Sequence, residues 1–211
     1  RPLAPQCHSP SGGRDPAFRI GGRVTTTVSR CTGARAWIPG ASRGPTLSSE
    51  TTAASTGPVG VVRRDPMAML PFIGYDAGDY FGHWIKVAKG ADATKLPRIY
   101  YVNWFRRDAE GRFLWPGFGE NSRVLKWIVE RIEGRAAAAE TPIGYVPTPE
   151  SLDTDGLDMT AEQIQHALHV STAEWAAEIP QIQEWFDKFG DTLPTTLWTE
   201  LDGLKSRLGL K

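Results

Sequence analysis

The stretch NWFRRDAEGRFLWPGFGEN, residues 103–121, holds five large aromatic side chains and four glycines or prolines in 19 residues. The aromatics of an ordinary core are spread along a helix or strand period, whereas these are concentrated around one tight turn. The pattern predicts a slot that takes a flat ring between aromatic faces, with Asn121 at the polar edge of that ring. The alternative is that the rings only fill a core. The five aromatics are Trp104, Phe105, Phe113, Trp115 and Phe118.

The order of residue types around this stretch predicts a β-hairpin that leads into a helix. Residues 99–103 are mostly β-branched or aromatic, which is typical of a strand. The polar turn at 108–111 ends in glycine, and a second strand is expected over residues 112–115. A helix then opens at residues 120–121, with Gly134 as its C-terminal cap. Backbone N–H groups at the start of such a helix favour anionic or electron-rich ligand atoms.

Residues 160–211 are predicted to form a helical tail. Thr160 and Ser171 each precede a glutamine or glutamate by three residues, as in a capping box. Pro180 is expected to interrupt the helix that follows Ser171, because proline lacks the N–H that the helix needs. We expect these amphipathic helices to pack on the body of the protein. Their apolar faces contain Trp175, Ile179, Ile182, Trp185, Phe186 and Phe189, and then Leu197, Leu201, Leu204 and Leu208.

Several stretches of the chain closely resemble the GTP-dependent phosphoenolpyruvate carboxykinases in their bacterial form. The resemblance is very strong over residues 47–147 and continues more faintly to the C-terminus, while it is broken upstream of about Gly21. Fixed aromatic spacing over such a length is far more specific than a short motif. The stretches are NWFRRDAEGRFLWPGFGENSRVLKWIVERIEG (103–134), RRDPMAMLPFIGYDAGDYFGHWI (63–85), SSETTAA (48–54) and TPIGYVP (141–147).

The resemblance implies a fold, a reaction and a nucleotide site. The fold would be mixed α/β (α+β), with this chain part of the family's nucleotide-binding C-terminal domain. The family converts oxaloacetate and GTP into phosphoenolpyruvate, GDP and carbon dioxide in gluconeogenesis. The resemblance implies a guanine-binding hairpin at 99–121, in which Asn121 hydrogen-bonds the base. This role agrees with the physics, since stacking contributes about 1–3 kcal/mol per base but does not distinguish one base from another. The residues implied to line the guanine slot are Trp104, Phe105, Phe113 and Phe118.

Residues 47–60, LSSETTAASTGPVG, are small, polar and punctuated by glycine and proline. Their composition alone is typical of a flexible loop or linker. The resemblance implies a lid, which closes over the active site and excludes water from the reaction. The residues expected in this lid are Ser49, Glu50, Thr51, Thr52 and Ala53.

Arg23 is a candidate phosphate contact. Together with Gly21 and Gly22 it resembles the family's FGGRR signature, although Ile20 replaces the phenylalanine and Val24 replaces the second arginine. A valine cannot neutralise charge on phosphoryl oxygens. The alternative is a glycine turn that carries a surface arginine.

The resemblance also implies groups that this sequence does not contain. It has no G-x-x-x-x-G-K-S/T phosphate loop, and none of its four histidines matches the family's manganese ligands. Manganese and magnesium are therefore expected for the complete enzyme, with no metal ligand in this chain. His166 and His169 are three residues apart on a helix, but no third ligand accompanies them. We expect the chain, which begins at Arg1, to be the C-terminal third of a longer enzyme and inactive alone.

Two segments are expected: a divergent or irregular one at residues 1–45, and the carboxykinase domain portion at residues 46–211. The first contains seven arginines, no lysine and one acidic residue, which favours disorder or irregular structure. A basic arm that binds nucleic acid is the alternative, but the absence of lysine and of interleaved aromatics argues against it. We therefore expect no nucleic-acid partner.

The overall composition narrows the class of protein further. The formal net charge of +0 gives no general attraction to polyanions. Cys7 and Cys31 suggest no disulfide framework. No run of about 18 apolar residues predicts a membrane span. We expect a cytoplasmic monomer that binds a guanine nucleotide and, in the complete enzyme, oxaloacetate and phosphoenolpyruvate.

Three interpretations remain open from the sequence. In the first, which we favour, the chain is a portion of a carboxykinase whose activity belongs to the full enzyme. It could instead be an inactive remnant that still binds a guanine nucleotide. The third interpretation is a non-enzymatic, aromatic-lined module whose ligand is not a nucleotide.

Overall fold

The computed structural model describes residues 19–21, 31–34, 37–50, 62–64, 66, 69–93 and 95–210. They form a mixed α/β fold, as the sequence predicts. The strands are β1 (Arg19–Gly21), β2 (Cys31–Gly33), β3 (Ser48–Glu50), β4 (Val62–Arg64), β5 (Tyr100–Asn103), β6 (Ala139–Thr141) and β7 (Gly144–Val146). The helices are α1 (Trp37–Arg43), α2 (Ala77–Val87), α3 (Asn121–Ile132), α4 (Ala161–Leu168), α5 (Thr172–Asp187) and α6 (Thr195–Leu208).

Five of these strands form a mixed sheet in the order β1-β5-β2-β7-β6. Strand β5 pairs in parallel with β1 and antiparallel with β2. All four residues of β5 are buried, which explains why this strand reads as continuously apolar or aromatic rather than alternating. The predicted strand at 99–103 is therefore confirmed, one residue shorter at its start. Strands β3 and β4 form a separate antiparallel ribbon, in which Ser48 pairs with Arg64.

A first apolar core lies between β5 and α3. Helix α3 buries Val124, Trp127 and Ile128 against Tyr100 and Val102 of the sheet. The Tyr100 and Trp127 rings meet edge to face, with their centroids 6.0 Å apart. Helix α3 ends as predicted, because Gly134 follows its last turn with a φ of 79°, a conformation that glycine adopts at little cost.

The helical tail builds a second core with α2. The predicted apolar faces are confirmed: Phe186, Leu197 and Leu201 are buried, and Phe81 of α2 packs among them. Hydrogen bonds also join the tail to the body of the protein, among them one at Trp185 and one at Arg207. Trp185 Nε1 donates to the carbonyl oxygen of Pro45 at 2.9 Å, and Arg207 Nε donates to that of Pro142 at 2.9 Å.

Pro180 does not interrupt its helix, so that prediction is wrong. Helix α5 runs from Thr172 to Asp187 with Pro180 inside it. A proline removes only one backbone donor, and the side chains that α5 buries on both sides of Pro180 hold the helix together. Ile179 and Ile182 are 5% and 4% exposed, whereas Pro180 faces outwards.

The described part of residues 1–45 includes two short strands and a helix. β1 and β2 flank the buried strand β5, and α1 follows them. The expectation of a divergent or irregular segment at 1–45 stays a prediction. Each strand is only three residues long, so the sequence shows no apolar run, and the sheet supplies the partners instead. Within the described ranges, no helix is both long and apolar enough to cross a bilayer.

Candidate functional site

The candidate site begins where β5 ends. The Asn103 side chain is fully buried, and its Oδ1 accepts a hydrogen bond from the backbone N–H of Phe105 at 3.0 Å. This short-range bond turns the chain out of the sheet, as asparagine commonly does at turns. Trp104 is half-buried against the first core, whereas the Phe105 ring reaches the surface with 45% of its area exposed.

A tight turn follows and brings two phenylalanine rings together. Asp108 N donates to Arg112 O at 2.9 Å, and Asp108 Oδ1 accepts from Arg112 N at 2.8 Å. The Phe105 and Phe113 ring centroids lie 6.4 Å apart with a tilt of 59°. The Arg107 guanidinium stacks 4.4 Å from the Phe113 centroid, within the range of a cation–π contact.

The predicted second strand at 112–115 is wrong in extent. Only one bridge forms, between Arg107 and Phe113. The ladder stops because Trp115 turns into the first core, where it is 4% exposed, and Pro116 follows with no backbone donor. Trp115 therefore packs in the core rather than lining a slot.

Phe118 projects from the surface immediately before α3. Its side chain is 99% exposed, and its φ of 33° is uncommon for a residue other than glycine. Phe118 opens the 3₁₀ turn Phe118–Glu120, which runs directly into α3, so Asn121 is the first residue of that helix. Backbone strain of this kind is concentrated at functional sites, where the surrounding structure holds it in place.

Charged residues fix the start of α3. Arg123 pairs with Glu120 one turn earlier, and its Nη1 donates to the carbonyl oxygen of Asp153 at 3.1 Å. The hydrogen bond to Glu120 is the main cause that raises the pKa of Arg123. Lys126 lies 2.6 Å from an Asp153 carboxylate oxygen, and this contact holds the pKa of Asp153 below its usual range. The helix start that carries Asn121 is thus tied to the loop at 149–155.

Arg106 is a component that the sequence analysis missed. It is 4% exposed, between the exposed Phe105 and the half-buried Arg107. Its Nη1 donates to the carbonyl oxygens of His166, Ala167 and His169 at 3.0, 3.2 and 3.0 Å. The surrounding sequence, FRRDAEG, is typical of an exposed turn and does not indicate that Arg106 is buried. Its hydrogen-bond partners are backbone carbonyls about 60 residues away, which no local pattern reveals.

The capping predictions have two outcomes. Thr160 forms the full capping box: its Oγ1 accepts from Gln163 N, and Gln163 Oε1 accepts from Thr160 N at 2.7 Å. At Ser171 the structure has half of it, since Ser171 Oγ accepts from Glu174 N at 3.3 Å. The Glu174 carboxylate instead lies 3.5 Å from Arg106. Burial lowers the pKa of the Arg106 guanidinium, and Glu174 opposes that shift.

The expected lid is described only at its start, over residues 47–50. Ser49 and Glu50 lie in β3, whereas Thr51, Thr52 and Ala53 lie outside the described residues. Their chain returns in β4, where Arg64 Nη1 lies 2.6 Å from a Glu178 carboxylate oxygen of α5 and 3.2 Å from Thr46 O. Burial, followed by the Glu178 charge, raises the pKa of the neighbouring Tyr101.

The remaining candidate residues are Arg23, His166 and His169. Arg23 lies outside the described residues. His166 and His169 are exposed, and their backbone carbonyls accept hydrogen bonds from Arg106. In the part of the chain that the structure describes, no group of three or more His, Cys, Asp or Glu side chains could hold a metal ion.

Comparison with known proteins gives a consistent family. A sequence model of the phosphoenolpyruvate carboxykinase C-terminal P-loop domain matches residues 1–207. The phosphoenolpyruvate carboxykinase (GTP) of Paenarthrobacter aurescens (strain TC1) is 59% identical over 207 residues, 98% of this chain and 34% of that protein. The Renibacterium salmoninarum protein of the same name is 60% identical over 98% of this chain and 34% of its own length.

A more distant relative agrees with these matches. The phosphoenolpyruvate carboxykinase (GTP) of Corynebacterium jeikeium (strain K411) is 50% identical over 97% of this chain and 34% of its own length. The chain thus spans about a third of the length of these curated relatives. The family match also extends upstream of Gly21, beyond the region in which the sequence analysis found the resemblance.

Proposed function

The chain belongs to the GTP-dependent phosphoenolpyruvate carboxykinase family, and we propose that it supplies the guanine-binding wall and the active-site lid of such an enzyme. The complete enzyme would convert oxaloacetate and GTP into phosphoenolpyruvate, GDP and carbon dioxide. Because the chain spans about a third of its relatives' length, the reaction is proposed for the whole protein and not for this portion.

The exposed aromatic rings carry this proposal. Phe105, Phe113 and Phe118 expose 45%, 53% and 99% of their area within one short segment. The Phe105 and Phe113 rings lie 6.4 Å apart, and exposed apolar patches often mark binding sites. Purine bases stack on such rings with about 1–3 kcal/mol each. The proposed slot is formed by these three rings, with the half-buried Trp104 behind them.

Selection of guanine is assigned to Asn121. Stacking does not distinguish guanine from adenine, so a polar group has to read the edge of the base. Asn121 stands at the first position of α3, beside Phe118, and an asparagine amide offers both a donor and an acceptor. The backbone N–H groups at this helix start add a positive end, which favours the electron-rich carbonyl oxygen of guanine.

The lid role is proposed for Ser49, Glu50, Thr51, Thr52 and Ala53. The β3–β4 ribbon pairs residues 48–50 with residues 62–64, and Arg64 ties the ribbon to α5 through Glu178. A segment attached at a fixed base can cover a site and exclude water. Exclusion of water would protect an enolate intermediate from protonation by solvent.

We propose that the metal ligands lie in the rest of the enzyme and not in this chain. The family uses a divalent ion, expected to be manganese with magnesium on the nucleotide, but the described residues contain no fitting ligand set. Arg23 stays a predicted phosphate contact. The predictions that the isolated chain does not turn over oxaloacetate, that it is a monomer and that the enzyme is cytoplasmic also stay predictions. An assay of phosphoenolpyruvate formation with manganese and GTP would test the first.

Isothermal titration calorimetry with GDP and ADP tests the proposed site on the purified chain. We expect GDP to bind more tightly than ADP, and Asn121→Ala to remove that preference while ADP affinity changes little. Phe72→Ala is the matched control, since Phe72 is an aromatic residue that is 76% exposed outside the site. A folded protein that binds neither nucleotide would contradict the proposal and favour a module for another ligand.

A further inference from the structure

Arg106 connects the aromatic segment to two helices of the tail. Its guanidinium gives three hydrogen bonds to the carbonyl oxygens of His166, Ala167 and His169 and faces the Glu174 carboxylate at 3.5 Å. These carbonyls lie at the end of α4, and Glu174 lies in the first turn of α5. The Arg106 side chain therefore contacts both the C-terminal end of α4 and the N-terminal end of α5.

The chemistry of this contact is specific to arginine. The last carbonyl groups of a helix have no partner within the helix and carry its negative end, so a cation is favourable there. All three carbonyl bonds come from Nη1, while Nη2 of the same rigid guanidinium plane faces Glu174, so one side chain contacts the carbonyls and the carboxylate in a fixed relation. Burial of a charge is costly unless such bonds satisfy it. The 4% exposure of Arg106 implies that these bonds are maintained.

The same residue is part of the turn that holds the aromatic rings. Arg106 O accepts a hydrogen bond from Leu114 N at 2.9 Å, next to the Arg107–Phe113 bridge. Phe105 precedes it and Arg107, which stacks on Phe113, follows it. A shift of the Arg106 side chain would thus move the backbone that sets the distance between the Phe105 and Phe113 rings.

We propose that Arg106 is the positioning residue of the aromatic site, and that through it the α4–α5 connection sets the geometry of the Phe105–Phe113 pair. The nucleotide consequence of this inference rests on the proposed function, whereas the positioning itself does not. The helical tail then has a role in ligand binding although its residues do not touch the ligand.

Amide hydrogen exchange of the purified chain tests the positioning without any ligand. Arg106→Lys keeps the charge but loses the planar set of donors. We expect the amides of Asp108 and Leu114 to exchange about tenfold faster in this variant, because the turn opens locally once its anchor is weakened. The control is Glu178→Gln, which breaks a different buried ion pair of α5. Equal rates in both variants, or no change in Arg106→Lys, would overturn the proposal.

A second variant keeps the test valid if Arg106→Lys does not fold. Thr160→Ala removes the N-terminal cap of α4, at the opposite end from Arg106, and such a loss is tolerated. If the helix end positions the turn, exchange at Leu114 should rise about fivefold in Thr160→Ala. Unchanged exchange at Leu114, with faster exchange inside α4, would show that the helix and the turn are independent.

Nucleotide binding separates this inference from the proposed function. Arg106→Lys is expected to weaken GDP binding about tenfold at a temperature where the protein is fully folded. Phe72→Ala, the control outside the site, should leave GDP affinity unchanged. Wild-type protein that does not bind GDP would refute the proposed function alone, since the exchange rates at Asp108 and Leu114 still decide the role of Arg106.

Discussion

The aromatic segment at 103–121 and the helical tail at 160–210 are both rich in large rings, but they use them in opposite ways. In the tail, Phe186 is 2% exposed and meets Trp198 edge to face at 5.3 Å. In the segment, Phe118 is 99% exposed and lies in a strained backbone conformation. The tail buries its aromatics in a core, whereas the segment leaves much of its aromatic area exposed to solvent.

The two regions are also held together by different interactions, apolar packing in the tail and polar contacts in the segment. Helices of the tail have apolar positions at helical spacing, so each ring meets a neighbouring helix. The segment is held by short-range contacts of Asn103 and Asp108 and by the buried Arg106. Polar contacts can fix a backbone without covering the side chains that it carries. Aromatic composition alone therefore does not separate a core from a binding surface.

The largest expected difference between the regions is in stability. Phe186→Ala should destabilise the protein by about 3–5 kcal/mol, because it leaves a cavity between α5 and α6. Urea unfolding followed by circular dichroism measures this loss. Phe118→Ala, measured in the same way, should change stability by less than about 0.5 kcal/mol. Similar losses in both variants would remove the contrast between the two regions.

The close packing of the tail on α2 gives a second, smaller effect. A Cβ atom at Gly78 would lie 2.4 Å from the backbone oxygen of Thr192, so Gly78→Ala should cost about 1–3 kcal/mol. Gly82→Ala is the matched control in the same helix, since its Cβ would lie 3.6 Å from Pro194 Cγ. The control should be neutral or stabilising by up to about 1 kcal/mol. A stable Gly78→Ala protein in thermal melts would show that this contact is loose.

For ligand binding, in contrast to stability, we expect the larger effect from a substitution in the aromatic segment. Phe118→Ala is expected to weaken GDP binding by about 1–3 kcal/mol, because one stacking face is lost. The exposed ring of Phe72 is the control, and Phe72→Ala should leave GDP affinity unchanged. Calorimetric titration of both variants measures the difference. Equal affinities for wild type and Phe118→Ala would move the nucleotide away from this segment.

The smallest expected effect is a pH dependence of the turn. Burial raises the pKa of Asp108, but the hydrogen bonds from Arg112 outweigh it and hold that pKa below its usual value of about 3.9. The turn is therefore stabilised at pH values above about 3.9, and the stabilisation is lost as the pH falls through the lower folded pKa. An NMR titration of the Arg112 amide should show this midpoint, and Asp108→Asn should abolish it. A midpoint above about 4 would contradict the assigned bonds.

Individual residues show how far the sequence could be used for prediction. Thr160 with Gln163, and Gly134 after α3, act within four residues, so their roles were predicted correctly. Pro180 was mispredicted because packing on both sides holds α5 together despite the missing N–H. The strand expected at 112–115 does not form, because Trp115 packs in the core between β5 and α3. Helix α3 follows Trp115 in the chain, so this packing was not evident from the local sequence.

Residue spacing by itself determined the amphipathic helices, their caps and the concentration of rings around one turn, because these depend on neighbours within a few positions. Only the tertiary structure decided which rings are buried. Trp115 and Phe118 stand three residues apart, yet one is 4% and the other 99% exposed. The tertiary structure also brought Arg106 to carbonyls about 60 residues away, since a helix end exposes unpaired carbonyl groups to whichever donor the fold places beside it.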